Sequence, residues 1–398
     1  MEKKALTLHE KWERDAASYE KGAKVKTAYP QCESCTHWVR GNALNCKIYT
    51  EERKPNGVLF AHTECPYYAD TEPLKLGALT EKKSRFYGGA FGFTVGDMLG
   101  VPVEFSTRQQ RDADPVKELR AYGTYHQPFG SWSDDSSLMF CLMDALLYDN
   151  PLEQLKKNMI AYYRDGLFTP GGQMFDIGNS TRSAIENMER GLPAVKCGGA
   201  AQQDNGNGSL MRVLPLAFLA AGQDSASFIR LIEDVSSLTH GHKRSKLACI
   251  VYVVFASQLY SGRSREAAFR AALSFVQEHC EKAYREEFSS FRRVFDQSII
   301  KADRNQISSS GYVVDTLEAA LWAFFNTSSY ESSVLCAINL GGDTDTIAAL
   351  VGGLAGIYYG YQKIPDNWIQ NILKKQELFA LFKTFFEFTE VATDGMGG

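Results

Sequence analysis

The stretch NLGGDTDTIAALVGGLAG, residues 339–356, places two aspartates and two threonines between a glycine pair and an apolar run. Ile347, Leu350, Val351, Leu354, Ile357 and Tyr358 recur at helical spacing, which predicts a core-facing helix beginning at about Thr346. The many Gly and Ala positions imply that a neighbouring helix approaches closely. An Asp or Thr side chain caps a helix start by accepting a hydrogen bond from a free N–H of the first turn. One cap suffices, so Asp343, Thr344, Asp345 and Thr346 form a surplus of oxygens at the edge of a core.

Working outward, the chain has 398 residues, of which 44% are hydrophobic, enough for one large or two smaller globular domains. A formal net charge of -4 carries no basic signature, so nucleic acid is not indicated as a partner. The charged start MEKKALTLHEKWERDAAS lacks the apolar segment of a secretory signal. The longest apolar runs, 347–359 and 247–259, are too short for a bilayer. The expectation is a cytoplasmic protein with no membrane partner.

Four of the nine cysteines, Cys32, Cys35, Cys46 and Cys65, cluster near the N-terminus, with Cys-x2-Cys followed by gaps of ten and eighteen residues. Four thiolates can close a tetrahedral zinc site and staple a segment with little core of its own. An iron–sulfur cluster or no metal remain open, and His37 and His62 are spare ligands. Residues 1–75 are therefore expected to form a Cys-rich module, and residues 76–398 a second domain.

From about Leu79 the pattern is helical almost throughout, and alternating strand patterns are nearly absent, so the fold class is all-α. Helices are expected over 85–97, 136–148, 152–163, 181–190, 209–221, 225–238, 243–261, 265–279, 313–325, 330–340, 346–359 and 377–387.

Polar clusters interrupt this body at helix ends. In GDMLGVPVEF, Asp97 reads as a helix-terminal residue, and Glu104 between Val103 and Phe105 needs a partner or a cation unless it is at the surface. In SWSDDSS, Ser133, Asp134, Asp135 and Ser136 lead into a helix, and adjacent carboxylates repel unless screened. Oxygen-only ligands suit Mg²⁺, Mn²⁺ or Ca²⁺, and Glu104, Asp134, Asp135, Asp343 and Asp345 exceed what one ion needs, which points to two. The glycine-rich loop at Asn205–Ser209 before an apolar run offers N–H groups to an anion, or is a simple turn. His240 and His242, too close in sequence to share a helix face, are ligands, substrate contacts or caps. Asp176 precedes a helix, and Tyr312 follows a glycine where its ring could stack on a flat ligand.

In this order, GDMLGVPVEF, SDDS, FDIGNSTR, NGNGSLMR, THGH, GYVVDTLEAALWAF and GGDTDT resemble the ADP-ribosylglycohydrolase family, and within it the dinitrogenase reductase-activating branch. The resemblance spans roughly Arg85 to Tyr359 and implies an all-α domain with a binuclear magnesium or manganese centre. It implies hydrolytic removal of ADP-ribose from ADP-ribosylated protein side chains, arginine in that branch. By the same resemblance Ser133, Asp134, Asp135, Asp343, Asp345 and Thr346 hold the metals, and Glu104 and Asp176 are catalytic. Asn207, Gly208, Ser209 and Met211 line the diphosphate, His240 and His242 the cleft, and Tyr312 the adenine end. The first metal loop departs from the commoner Thr-Asp-Asp-Thr by carrying Ser133 and Ser136, which keep the hydroxyls. The alternatives are another ADP-ribosyl linkage (serine, nucleic acid or small molecule) and a non-catalytic ADP-ribose-binding relative.

Overall fold

The computed structural model describes residues 73–221 and 223–394, with Cys35, His37, residues 46–48, Lys54, Val58 and Cys65 nearer the N-terminus. Cys32 and His62, two of the candidate zinc ligands, lie outside the described residues. The helices are α1 (Glu81–Gly100), α2 (Arg108–Ala113), α3 (Asp134–Ala145), α4 (Pro151–Asp165), α5 (Asn179–Glu189), α6 (Ser225–Ser237) and α7 (Lys243–Tyr260). They continue as α8 (Arg265–Tyr284), α9 (Arg292–Phe295), α10 (Val313–Phe325), α11 (Tyr330–Ile338), α12 (Thr344–Tyr359), α13 (Asp366–Gln370) and α14 (Lys375–Asp394). Among the described residues no β-strand forms, and only isolated bridges occur. No described helix is long and apolar enough to cross a membrane.

The centre of the fold is the pair α1 and α12. Gly88, Gly92, Gly96 and Gly100 recur every four residues along one face of α1, so all four meet α12. A Cβ added at Gly88, Gly92 or Gly96 would lie 2.1, 2.5 or 2.0 Å from the carbonyl oxygens of Gly356, Gly352 and Ala348. At Gly100 it would lie 2.4 Å from the Asp345 Cα. The backbones therefore touch, and no other residue fits between them. Every residue of α12 from Thr344 to Ile357 is buried, as expected for a helix apolar all round. Helices α7, α10 and α11 close around it.

Two departures from the sequence expectation have local causes. The apolar run 209–221 does not form one α-helix but two 3₁₀ segments, Leu210–Arg212 and Leu214–Leu219. Pro215 has no N–H and disfavours helical geometry in the residue before it, which breaks the ladder. α2 was not expected; Thr107 and Gln110 build a reciprocal capping box that starts it in a polar segment.

Candidate functional site

The glycine contact between α1 and α12 delivers the C-terminal turn of α1 to the first turn of α12, and α3 begins beside both. At the start of α3, Ser133 caps conventionally: its Oγ accepts from the Asp135 N–H at 3.2 Å. The same hydroxyl donates to Asp135 Oδ2 at 3.0 Å. Asp97, from the last turn of α1, completes the cap. Its Oδ1 accepts from the Ser133 N–H at 2.9 Å, and its Oδ2 from the Ser136 N–H at 2.9 Å and the Ser136 Oγ at 2.6 Å.

The start of α12 is built differently. The helix begins at Thr344, two residues earlier than its apolar pattern indicates, with Asp343 at the N-cap position but making no capping bond. Gly341 and Gly342 both have left-handed backbones, at φ +72° and +74°. A Cβ on Gly342 would lie 2.2 Å from the Ser309 carbonyl oxygen. This bend turns Asp343 away from its own helix, and its Oδ2 accepts instead from Asn207 Nδ2 at 2.7 Å. Thr344 donates to the Gly100 carbonyl at 2.8 Å, the Thr346 N–H donates to Asp345 Oδ1 at 2.9 Å, and Thr346 Oγ1 reaches Asp135 Oδ2 at 3.3 Å.

The result is two buried triads of carboxylates, Asp97, Asp135 and Asp345, and Glu104, Asp343 and Asp345. Within each, one oxygen from every member lies within 4.8 Å of the others, and Asp345 belongs to both. At 4.8 Å and an effective dielectric of about 20, each ionised pair repels by roughly 3 kcal/mol, so a bare, fully ionised cluster is untenable. The chain responds by holding protons. Burial and the neighbouring carboxylates raise Asp135 and Asp345 well above the usual range. Burial followed by Asp343 and Asp176 pushes Glu104 up to about 8, and burial pushes Asp97 up to about 6 against its hydrogen bonds. Glu104 Oε2, Asp135 Oδ1 and Asp343 Oδ1 are buried without a hydrogen-bond partner. Leaving such oxygens unpaired costs about 1–3 kcal/mol each or more when charged. Three orphaned hard donors, distributed over two triads that share Asp345, are oxygens that a divalent cation would satisfy.

A second set of contacts leads away from the triads. Asp134 belongs to neither triad; its carboxyl hydrogen-bonds that of Asp176, and both are raised, chiefly by burial. The Tyr125 hydroxyl hydrogen-bonds the carboxyls of both Asp176 and Glu104, and burial with their charge raises its pKa. Tyr162 donates to the Asp176 carbonyl at 2.5 Å and holds the loop in place.

On the other side, the Asn205–Gly208 loop is pinned by Asn207 N–H to the Gly311 carbonyl and by Val313 N–H to the Asn205 carbonyl, each 3.0 Å. Arg212, fully buried, donates to the Gly208 carbonyl at 2.5 Å and the Val235 carbonyl at 3.0 Å. Ser209 is buried with its hydroxyl held by Ser236 at 3.0 Å and beside Cys249 Sγ at 3.4 Å, and Met211 is buried too. His240 is buried under Gly206 and Gly208, its Nδ1 2.8 Å from Thr239 Oγ1, and burial lowers its pKa to about 3. His242 caps α7, its Nδ1 accepting from the Arg244 N–H at 3.1 Å. Tyr312 is half-buried at the N-cap of α10, its hydroxyl accepting from Arg244 Nη1 at 3.0 Å, and Arg244 pairs with Glu287 at 2.7 Å.

Three participants have contacts that the sequence does not disclose. Asp97 was legible as polar but not as the cap of a helix 36 residues on; its only signal is a charge inside the apolar stretch FGFTVGDMLG. Tyr125 carries no motif. Asn207 was read for an anion, yet its side chain orients Asp343 and also donates to Thr316 Oγ1 at 3.0 Å.

The ADP-ribosylglycohydrolase family profile matches residues 78–394. The chain is 29% identical to ADP-ribosylarginine hydrolase Tri1 of Serratia proteamaculans, across 81% of this chain and 84% of that protein. It is 28% identical to the ADP-ribosyl-[dinitrogen reductase] glycohydrolase of Rhodospirillum rubrum, across 74% and 92%. A solved ADP-ribosylglycohydrolase-related protein complex, 29% identical, aligns with a TM-score of 0.64 over 78% of this chain and 100% of that chain. The helical body and its acidic cluster thus lie within the matched residues, and the chain belongs to the ADP-ribosylglycohydrolase family, whose members hydrolyse ADP-ribosyl linkages.

Proposed function

We propose that this chain hydrolyses the N-glycosidic bond between ADP-ribose and an arginine side chain of a modified protein, with two magnesium or manganese ions in the cleft. The observation that carries the reading is the pair of buried carboxylate triads sharing Asp345, with three unpartnered oxygens between them. Asp135, Asp343, Asp345 and Glu104 would hold the ions, while Ser133, Asp97 and Thr346 orient Asp135 and the turn that bears it. When bound, the ions supply Lewis-acid polarisation of ribose oxygens and neutralise the carboxylate charge.

The remaining work falls to side chains. Asp176, tied to Tyr125 and Asp134, is placed to hold or move a proton as charge develops at the anomeric carbon, and Glu104 shares that role through Tyr125. The Asn205–Gly208 loop would receive the diphosphate through its backbone, since the Ser209 hydroxyl is already occupied. His240 supports that loop from beneath as a neutral ring. His242 borders the cleft as the cap of α7, and Tyr312 would stack on the adenine with its hydroxyl fixed by Arg244. Binding energy gathered at these remote contacts can be spent at the bond that breaks.

The companion proposal for residues 1–75 is a zinc-stapled module using Cys32, Cys35, Cys46 and Cys65, which elemental analysis of the purified chain tests. For the enzyme, a panel of defined ADP-ribosyl linkages incubated with Mg²⁺ is decisive. Release of ADP-ribose from the arginine peptide and not from serine, nucleic-acid or small-molecule linkages supports the reading. Cleavage of another linkage alone reassigns the substrate, and tight ADP-ribose binding without turnover of any makes the protein a reader.

A further inference from the structure

Phe105 is a bulky apolar side chain in an unfavourable place. Its side chain is 68% exposed and its backbone is left-handed, at φ +61°. Phe lacks glycine's freedom there, so the conformation is strained and must be imposed. It is imposed by the metal loop: the Phe105 N–H donates to the Gly342 carbonyl at 2.8 Å, and the Gly342 N–H donates to the Ser106 carbonyl at 2.8 Å. The same two bonds that fix the bend before Asp343 turn the ring outward.

The ring does not point into bare solvent. Its centroid is 6.3 Å from that of Tyr125, and Tyr125 is 5.3 Å from Phe175, both pairs tilted. Tyr125 reaches down to Glu104 and Asp176, and Phe175 is the residue before Asp176. Three aromatic rings therefore run in a contacting row whose middle member, Tyr125, hydrogen-bonds two carboxyls, and Asp176, in neither triad, has an oxygen set not committed to a cation cluster. A row of aromatic rings beside a carboxyl complements a flat, positively charged group, because ring faces are electron-rich and a carboxylate attracts the same cation.

We infer that Phe105, with Tyr125 and Phe175, forms a collar that receives the guanidinium of the modified arginine and selects it over neutral acceptor side chains. This rests on the proposed hydrolase reading and deepens it by assigning the acceptor, rather than the ADP-ribose, to these residues. Phe105→Ala and Phe105→Leu are compared with the wild type on an arginine-linked ADP-ribosyl peptide, with inhibition by free ADP-ribose as the control. Because the side chain is exposed, neither variant opens a core cavity. The expected result is about a tenfold loss of kcat/KM on the arginine linkage in both variants and recovery in Phe105→Trp. Inhibition by free ADP-ribose should change less than twofold. A tenfold weakening of ADP-ribose inhibition alongside the loss of turnover, or full arginine activity in Phe105→Leu, overturns the collar.

A wild type that cleaves no arginine linkage overturns the proposed function instead, and competition binding then judges the collar. ADP-ribosyl-agmatine, a small guanidine conjugate, should outcompete ADP-ribose on the wild type and lose that advantage on Phe105→Ala. Equal affinity of the two ligands for the wild type contradicts the collar.

Discussion

The starts of α3 and α12 look alike in sequence, each a short run of hydroxyls and carboxylates before apolar residues, yet they solve different problems. At α3 the hydroxyl of Ser133 caps its own helix, and Asp97 arrives from α1 to finish the cap. At α12 Asp343 occupies the cap position and makes no capping bond, because two left-handed glycines aim it at Asn207. A carboxylate that neglects its own helix is doing something tertiary. The α3 start is a stable platform, and the α12 start is where a local cap has been given up to place oxygens in a buried cluster.

The comparison breaks first at Asp345, the residue both triads share. Asp345→Ala should lower metal-dependent ADP-ribose release by more than about a hundredfold, the upper range for losing merely an outer partner of a ligand. Asp135→Ala, which spoils one triad, should retain a measurable residue of activity and one metal. Kinetics with a far-ultraviolet circular dichroism control checks both.

The next largest effect is on pH. Glu104 titrates near 8 in the folded, metal-free chain, well above its ordinary value of 4.5. Between those values the folded chain keeps a proton that the unfolded chain releases, so this contribution to stability is present below pH 4.5 and is lost as pH rises through 8. Roughly 5 kcal/mol is the ceiling for such a shift. Thermal melts in EDTA should therefore show Tm falling with pH over this range, while added Mn²⁺ raises Tm more at pH 8 than at pH 5. A metal effect that is independent of pH contradicts the electrostatic account.

Gly96→Ala follows, at about 3 kcal/mol of lost stability, since its Cβ would lie 2.0 Å from the Ala348 carbonyl oxygen. The ~1 kcal/mol that Ala gains over Gly in helix propensity does not offset that clash. Denaturant titration measures the difference. Asn207→Ala should weaken metal affinity about tenfold by freeing Asp343, with little change in Tm of the metal-free chain. The smallest effect belongs to the ordinary cap: Ser133→Ala should cost about 1 kcal/mol in stability, read by chemical denaturation. If Ser133→Ala weakened metal binding more than Asn207→Ala, the contrast between the two helix starts would be reversed.

How much of this was legible in the sequence follows from the range of each interaction. The bend at Gly341–Gly342 and the surplus of oxygens after it could be read because glycine pairs and N-caps act within a few residues. The close approach of α12 to a neighbour was legible from its small residues, though its partner α1 was not. The all-α body emerged because long apolar runs with helical period leave little room for strands. What was illegible is long-range: Asp97 meeting Ser136, Asn207 meeting Asp343, and Tyr125 meeting Asp176 pair residues whose sequence separation carries no pattern. The segment 209–221 was misread because its apolar content outweighed Pro215, and only the structure shows the 3₁₀ turns that result.

The central claim is that Asp135, Asp343, Asp345 and Glu104 hold two divalent cations. Calorimetric titration of the metal-stripped protein with Mn²⁺, wild type against Asp345→Asn, tests it most directly. The account predicts close to two ions per chain for the wild type and loss of both high-affinity events in the variant. A single ion in the wild type, or two retained in Asp345→Asn, would contradict it.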